Sequence, residues 1–224
     1  MLKVTDIRDH FFDELDAQRY TIDKTGAKTI EMLGASFIAD EPSIFGIPNQ
    51  EYIDKEIAWY ESQSTNIYDI NTESGADAPA AWKYSADKYG NINSNYGYLV
   101  DSPKFYNQYY NAIAELIANP DSRRAQMIYN RPSIWAEYNE NGKSDFICTN
   151  AQTFYIRDNK LHMVSQMRSN DVVFGYKNDY AWAQHLMDRA IDNLNEEGYE
   201  LTKGDLIWQV MNLHVYERHF NLVV

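Results

Sequence analysis

Apolar residues recur at helical spacing from Val4 to Asp16, where Ile7, Phe11, Phe12 and Leu15 fall near one face and Thr5 or Asp6 can serve as the cap. A turn at Asp23-Lys24-Thr25-Gly26 follows, and Thr29 to Phe37 reads as a strand. Beyond Pro48 the helical period returns. Tyr52, Ile53, Glu56, Ile57 and Tyr60 sit near one face of a helix from about Gln50 to Gln63. A third helix fits Tyr106 to Ala118 and stops at Asn119-Pro120, because proline cannot continue the hydrogen-bond ladder. The pattern then becomes strand-like over Arg124 to Asn130, Phe146 to Ile156 and Leu161 to Arg168, with Arg157-Asp158-Asn159-Lys160 turning between the last two. A long helix from about Asn178 to Glu196 and a strand from Asp205 to about Tyr216 close the series. Between Ser64 and Ser94 the chain is rich in Asn, Ser, Gly, Asp and Ala, which suits an ordered functional loop or a lid better than an interdomain linker. The order of elements predicts an α+β fold, with helices segregated from a mainly antiparallel sheet.

The 224 residues suit one large domain or at most two small ones, and a single catalytic domain over 1–224 is the expectation. The 18 tyrosines offer apolar area with a polar tip, a combination suited to ligand pockets and interfaces. A net charge of -13 argues against nucleic acid as a general partner, since duplex binding is driven by basic patches. Small anions remain possible where basic residues gather, as at Arg123-Arg124, Arg131, and Lys24 with Lys28. Met1-Leu2-Lys3-Val4-Thr5-Asp6 is polar within six residues, and no apolar run approaches a membrane span, so a cytoplasmic protein with no membrane partner is expected.

The chain has one cysteine, Cys148, in Asp-Phe-Ile-Cys-Thr-Asn. One thiol cannot form a disulfide within the chain or a cysteine metal site, and no metal is expected. It can be a nucleophile, although free cysteine is most often a small core hydrophobe. Arg168-Ser169-Asn170-Asp171 follows twenty residues on, and its Arg-Ser pair supplies a cation and a hydroxyl donor of the kind a phosphorylated substrate needs.

Taken with Asp23-Lys24-Thr25-Gly26, Glu56-Ile57-Ala58-Trp59, Asn95-Tyr96-Gly97, Pro120-Asp121-Ser122-Arg123-Arg124, Gly175 and Leu213-His214-Val215-Tyr216, these segments resemble the thymidylate synthase family over essentially the whole chain. Within it they are most similar to the deoxycytidylate-hydroxymethylating branch of T-even-type bacteriophages. The resemblance implies a thymidylate synthase-like fold, a sheet face forming a homodimer interface, and shared active sites. It implies a pyrimidine deoxynucleotide substrate, dCMP for this branch, and 5,10-methylenetetrahydrofolate as co-substrate. Cys148 would add to C6 of the base, making C5 nucleophilic toward the one-carbon unit. Glu56 would order water and move protons.

By the same resemblance Lys24, Arg123, Arg124, Arg168 and Ser169 would bind phosphate, with the arginine pair reaching into the partner's site. His214 and Tyr216 would hold the sugar 3′-hydroxyl, and Asp171 and Trp82 would contact folate. Lys24 stands where thymidylate synthases usually carry arginine, and Phe146-Ile147 and Thr149 replace their Pro-Pro and His around the cysteine.

Asp179 stands where those enzymes place the asparagine that reads uracil. A protonated Asp179 could accept from N4–H and donate to N3 of cytosine; an ionised one could stabilise N3-protonated cytosine. It could instead simply cap the helix beginning there. The final addition of water gives a hydroxymethyl group, and hydride from folate would give methyl. A methyl-forming or dUMP-using relative, or a catalytically idle nucleotide-binding subunit of a phage precursor-synthesis complex, are the alternatives.

Overall fold

The computed structural model describes residues 1–22, 26–71 and 78–224. The elements run β1 (Leu2–Lys3), α1 (Val4–Asp16), β2 (Thr21–Ile22), β3 (Lys28–Ile38), α2 (Gln50–Ser62), α3 (Ala80–Ser85), α4 (Tyr96–Asp101), α5 (Gln108–Ala118), β4 (Gln126–Ile128), α6 (Ile134–Glu137), β5 (Thr149–Arg157), β6 (Lys160–Asp171), α7 (Gly175–Glu196) and β7 (Thr202–Tyr216), with short 3-10 turns between some of them. The α1 cap is Lys3 rather than Thr5 or Asp6: the Asp6 carboxylate accepts from the Lys3 backbone N–H at 2.7 Å, leaving Asp6 inside the first turn.

The strands form one sheet in the order β1-β3-β7-β6-β5-β4, with β2 on β3. As expected the sheet is mainly antiparallel, with four antiparallel pairings among the described residues, and it is mixed because β1 pairs β3 and β6 pairs β7 in parallel. The second of these pairings follows from the crossover through α7, since two strands joined by a long helix return in the same direction. Tyr176, Trp182, Ala183, Leu186, Met187, Ala190 and Leu194 form a buried stripe along α7, which packs over β6 and β7. Each such large apolar side chain contributes about 1.5–3 kcal/mol relative to exposure. On the other face Ile38, Val164, Gln166, Ile207 and Gln209 are only partly covered, while Ile128 and Met211 are exposed.

Pairing lapses at one level across the sheet. Gly34 of β3 and Met211 of β7 have no ladder partners there, Arg168 of β6 has none on β7 although its backbone N–H donates to Cys148 O at 2.9 Å, and the β5–β6 register shifts between Thr149 and Ala151. Gly34 has φ +69, a conformation that glycine adopts without a Cβ penalty. The buried positions of β7 run Leu206, Trp208 and Val210 below the lapse and Leu213, His214 and Val215 above it, so strict alternation gives way there to a stretch covered on both faces. Below it the sheet builds the core. Above it, Ser169 and Asp171 lie opposite Asn212 and His214 on one face, and Asn170 turns toward α7.

Candidate active site

Cys148 sits half-buried just before β5, fixed by its neighbour strand. The Arg168 guanidinium donates to Ile147 O at 3.0 Å, to Phe146 O, and lies 3.5 Å from the Cys148 Sγ. It also covers the Phe146 ring at 4.9 Å. Burial pushes the thiol up to about 11; the Arg168 charge pulls it down, and the Asp179 and Asp145 carboxyls push it further up. The sulfur therefore rests as a thiol with one cation in contact.

Asp179 faces this sulfur from α7. Helix α7 begins at Gly175, which places Asp179 in its second turn and overturns the helix-cap reading of that residue. Entry to α7 is instead organised by Asp171, whose Oδ1 accepts from the Val173 and Phe174 backbone N–H groups at 2.8 and 2.6 Å. Asn170 donates to Asp179 Oδ2 at 2.7 Å, and Trp208 donates to Asn170 Oδ1 at 3.2 Å, which fixes the amide end presented to the carboxyl. Tyr96 also hydrogen-bonds Asp179, while its oxygen accepts from Thr149 Oγ1 at 2.9 Å. Burial, reinforced by Glu56, pushes Asp179 up to about 8 against these hydrogen bonds.

That shift has a consequence for stability. Below about pH 4 the carboxyl is neutral in folded and unfolded chains alike; between there and about pH 8 only the unfolded chain gives up its proton. Stability therefore falls as pH rises through this window. Asp179→Asn is expected to melt higher than the parent at pH 8, with the difference gone at pH 4. Equal melting temperatures at both pH values would contradict the buried neutral carboxyl.

Glu56 is buried on α2. Its Oε1 accepts from the Tyr52 hydroxyl at 2.6 Å and the Trp82 indole N–H at 3.0 Å. Burial raises its pKa, and the two hydrogen bonds oppose the rise. Trp82, on α3, packs edge-on against Trp59 with ring centroids 5.2 Å apart. The Asn95-Tyr96-Gly97 segment joins this wall to the cysteine. Asn95 caps α4 by accepting from Tyr98 N–H at 2.8 Å. A Cβ on Gly97 would lie 1.9 Å from Tyr60 O, so only glycine lets α4 press on α2. Tyr96 then stacks on Tyr60 at 5.2 Å.

On the strand side, the His214 and Tyr216 rings meet edge-on at 4.7 Å, two residues apart on β7 as the alternation requires. Burial lowers the His214 pKa although Asp171 pulls it up. Its Nδ1 lies 3.3 Å from Asn212 O, which suits a neutral ring donating from Nδ1 and accepting at Nε2. Tyr216 feels the charges of Asp171, Arg168 and Cys148, so this pair belongs to the same cluster.

Cys148, Glu56, Asp179, Arg168, Ser169, Asp171, Trp82, His214 and Tyr216 thus converge. Arg123 and Arg124 do not. They line an open depression of ≈ 310 Å³ with Asn119, Asp121 and Ser122, and Arg124 is paired with Glu115 at 2.9 Å. Ala125 next to them bonds Phe154, five residues along β5 and roughly 17 Å from its cysteine end. Lys24 lies outside the described residues. Tyr96, Thr149 and Asn170 are additions to which the sequence assigned no role, although Tyr96 and Asn170 lie within recognisable motifs and Thr149 stands directly after the cysteine.

For the folate group, the donor set is suitable: the Phe174 ring is exposed at the rim, the Trp82 ring is oriented by its N–H, and Asp171 keeps Oδ2 free of the two backbone bonds. A flat heteroaromatic ring with N–H donors matches these surfaces.

A sheet whose pairing lapses beside a thiol, with carboxyls on two helices and a histidine–tyrosine pair on the last strand, is a fold shared with known proteins. The thymidylate synthase family model matches residues 15–224. The chain is 49% identical over 224 residues to the deoxycytidylate 5-hydroxymethyltransferase of Enterobacteria phage T4, covering 99% of this chain and 89% of that protein, and equally to that of phage T2. It is 26% identical to the thymidylate synthase of Fusobacterium nucleatum over 172 residues, 76% of this chain and 58% of that one. The crystal structure of thymidylate synthase from T4 phage superimposes with a TM-score of 0.74 at 21% identity, covering 96% and 77% of the two chains. The chain belongs to the thymidylate synthase family.

Proposed function

We propose that the protein is a deoxycytidylate 5-hydroxymethyltransferase, converting dCMP to 5-hydroxymethyl-dCMP with 5,10-methylenetetrahydrofolate as the one-carbon donor. The observation that carries the substrate choice is Asp179, buried, held by Asn170 and Tyr96, and pushed up to about 8. At neutral pH it holds a proton. A carboxylic acid presents one donor and free acceptor lone pairs, matching N3 and the N4 amino group of cytosine. Uracil, with N3–H and O4, has no lone pair at N3 to take that proton.

The folate supplies the methylene group when bound, with Trp82, Phe174 and Asp171 as the residues to hold it. Cys148 adds to C6, and the proton at N3 from Asp179 draws electron density out of the ring as the sulfur bonds. Because the thiol is not ionised at rest, it surrenders its proton in that addition to the Asp179 carboxylate left when N3 is protonated, with Arg168 stabilising the sulfur charge as it develops. Tyr96 lies beside both Cys148 and Asp179; held as a phenol by burial, it can relay a proton leaving C5, its own hydrogen passing on to water as it accepts. Glu56, neutral or ionised according to its neighbours, orients the water that adds at the exocyclic carbon. Arg168 and Ser169 receive phosphate, and His214 with Tyr216 the 3′-hydroxyl.

Arg123 and Arg124 fit this scheme as donors to the partner's phosphate in a homodimer. The partly covered face bearing Ile38, Val164 and Ile207 supplies a surface for that pairing. Among the described residues no helix is long and apolar enough to cross a membrane.

Glu56→Gln keeps an oxygen for Tyr52 and Trp82 but loses the ability to exchange a proton. It is expected to lower kcat about 10²- to 10³-fold with little change in KM for dCMP. Steady-state kinetics check this; a matching rise in KM would assign Glu56 to binding instead. The functional reading is tested by assaying folate products with dCMP. Tetrahydrofolate without the dihydrofolate absorbance change is expected; stoichiometric dihydrofolate would mean methylation.

A further inference from the structure

We propose that Asp145 is a positioning residue for the Cys148–Tyr96 pair: its carboxylate staples the segment that ends in the cysteine to the turn that opens the Tyr96 helix. The inference rests on the reading of Cys148 as nucleophile. Asp145 lies three residues before Cys148 and is buried at 5% exposure, as is Ser94 at 6%. Its Oδ2 accepts from the backbone N–H groups of Asn93 at 2.5 Å and Ser94 at 2.9 Å, and its Oδ1 from Ser94 Oγ at 2.6 Å. The Asn93 amide returns the contact, donating to Asp145 O at 3.1 Å and Glu137 O at 3.2 Å, while Lys143 Nζ holds its oxygen at 3.1 Å.

The next residue extends the staple to a third segment. Asn95 is fully buried, caps the Tyr96 helix, and donates to Trp59 O at 3.0 Å and Ser64 O at 2.7 Å at the end of the Glu56 helix. Residues 93–95 therefore connect the strand end bearing the thiol, the helix bearing the tyrosine and the helix bearing the glutamate. No single covalent segment fixes those groups relative to one another. Misplacing reacting groups by about 1 Å costs on the order of 10²-fold in rate, so this connection bears on turnover more than on affinity.

The staple makes a distinctive demand on substitutions. Asparagine at 145 can offer its carbonyl to both backbone N–H groups and its N–H to Ser94 Oγ, so Asp145→Asn preserves the geometry. Alanine abolishes it. Both remove the negative charge that raises the Cys148 pKa, so both ease thiol ionisation alike. Positioning and charge thus predict opposite outcomes for alanine.

The test uses the full chain with Asp145→Ala, Asp145→Asn and Ser94→Ala. Each is measured for kcat and KM with dCMP and for iodoacetamide alkylation of Cys148, the only thiol present, as a function of pH. Asp145→Ala is expected to lose about 10²-fold in kcat with KM within about three-fold, although its thiol titrates lower than the parent's. Asp145→Asn is expected within about five-fold of the parent in kcat, and Ser94→Ala, lacking one of three bonds, down about five- to ten-fold. The limiting alkylation rate at high pH should rise for alanine, as the segment loosens, and hold for asparagine. Alanine turning over like the parent, or asparagine as impaired as alanine, overturns the proposal. Should Asp145→Ala fail to fold, an unchanged kcat in Ser94→Ala overturns it alone. Absence of turnover in the parent would sink the functional reading, and the limiting alkylation rates would then still decide the staple.

Discussion

Cys148→Ser is expected to lower dCMP turnover by about 10⁴-fold or more while changing dCMP affinity by less than about three-fold. The reasoning starts from the resting sulfur. Burial holds its pKa near 11, so only about 10⁻⁴ of the thiol is ionised at pH 7. Sulfur remains workable because it is intrinsically nucleophilic and its proton leaves as the bond to C6 forms. A serine hydroxyl in the same place is several pKa units less acidic and far less nucleophilic, and the Asp179 carboxyl facing it rests protonated at neutral pH, so it is not poised to take the hydroxyl proton. Affinity, by contrast, is assigned in the proposed function to Arg168, Ser169, His214, Tyr216 and Asp179, which serine leaves in place. Turnover and calorimetric binding of dCMP check the two halves separately. A serine variant retaining a hundredth of the parent rate would remove the covalent step from the account.

Asp179→Asn should invert the base preference. The ratio of kcat/KM for dCMP over dUMP is expected to fall by about 10²-fold or more, most of it lost on dCMP. The neutral carboxyl can transfer its hydrogen to N3 of cytosine and so draw density from the ring as Cys148 adds, whereas an amide can offer no more than a hydrogen bond there. The same amide reversed accepts from N3–H and donates to O4 of uracil. Competition between the two nucleotides in one reaction measures the ratio directly, without dependence on enzyme concentration. An unchanged ratio would show that base selection lies elsewhere in the pocket.

What the chain pattern revealed and what it hid separate along physical lines. Helices with a strong apolar stripe, such as Val4–Asp16 and Gln50–Ser62, were legible because the stripe is local. The six-residue α3 was not, since it has too few residues to display a period. Parallel pairing of β6 and β7 could have been inferred from the strand–helix–strand order, but strand alternation alone carries no direction. Residue types at the site were legible through a resemblance that spans the chain. Their environments were not: that Thr149 turns the Tyr96 hydroxyl toward Asp179, or that Trp208 fixes the Asn170 amide, depends on atoms from distant segments. Arg123 and Arg124 show the opposite case, two residues whose motif is plain and whose proposed target lies outside their own chain.

The central claim is that cytosine, activated through Cys148, receives a one-carbon unit completed by water. It is tested most directly by running the reaction in ¹⁸O-labelled water with dCMP and 5,10-methylenetetrahydrofolate and weighing the nucleotide product. The account predicts 5-hydroxymethyl-dCMP carrying one ¹⁸O, formed with tetrahydrofolate and much faster than any product from dUMP. A methylated nucleotide without label, or labelled hydroxymethyl product from dUMP in preference to dCMP, would contradict it.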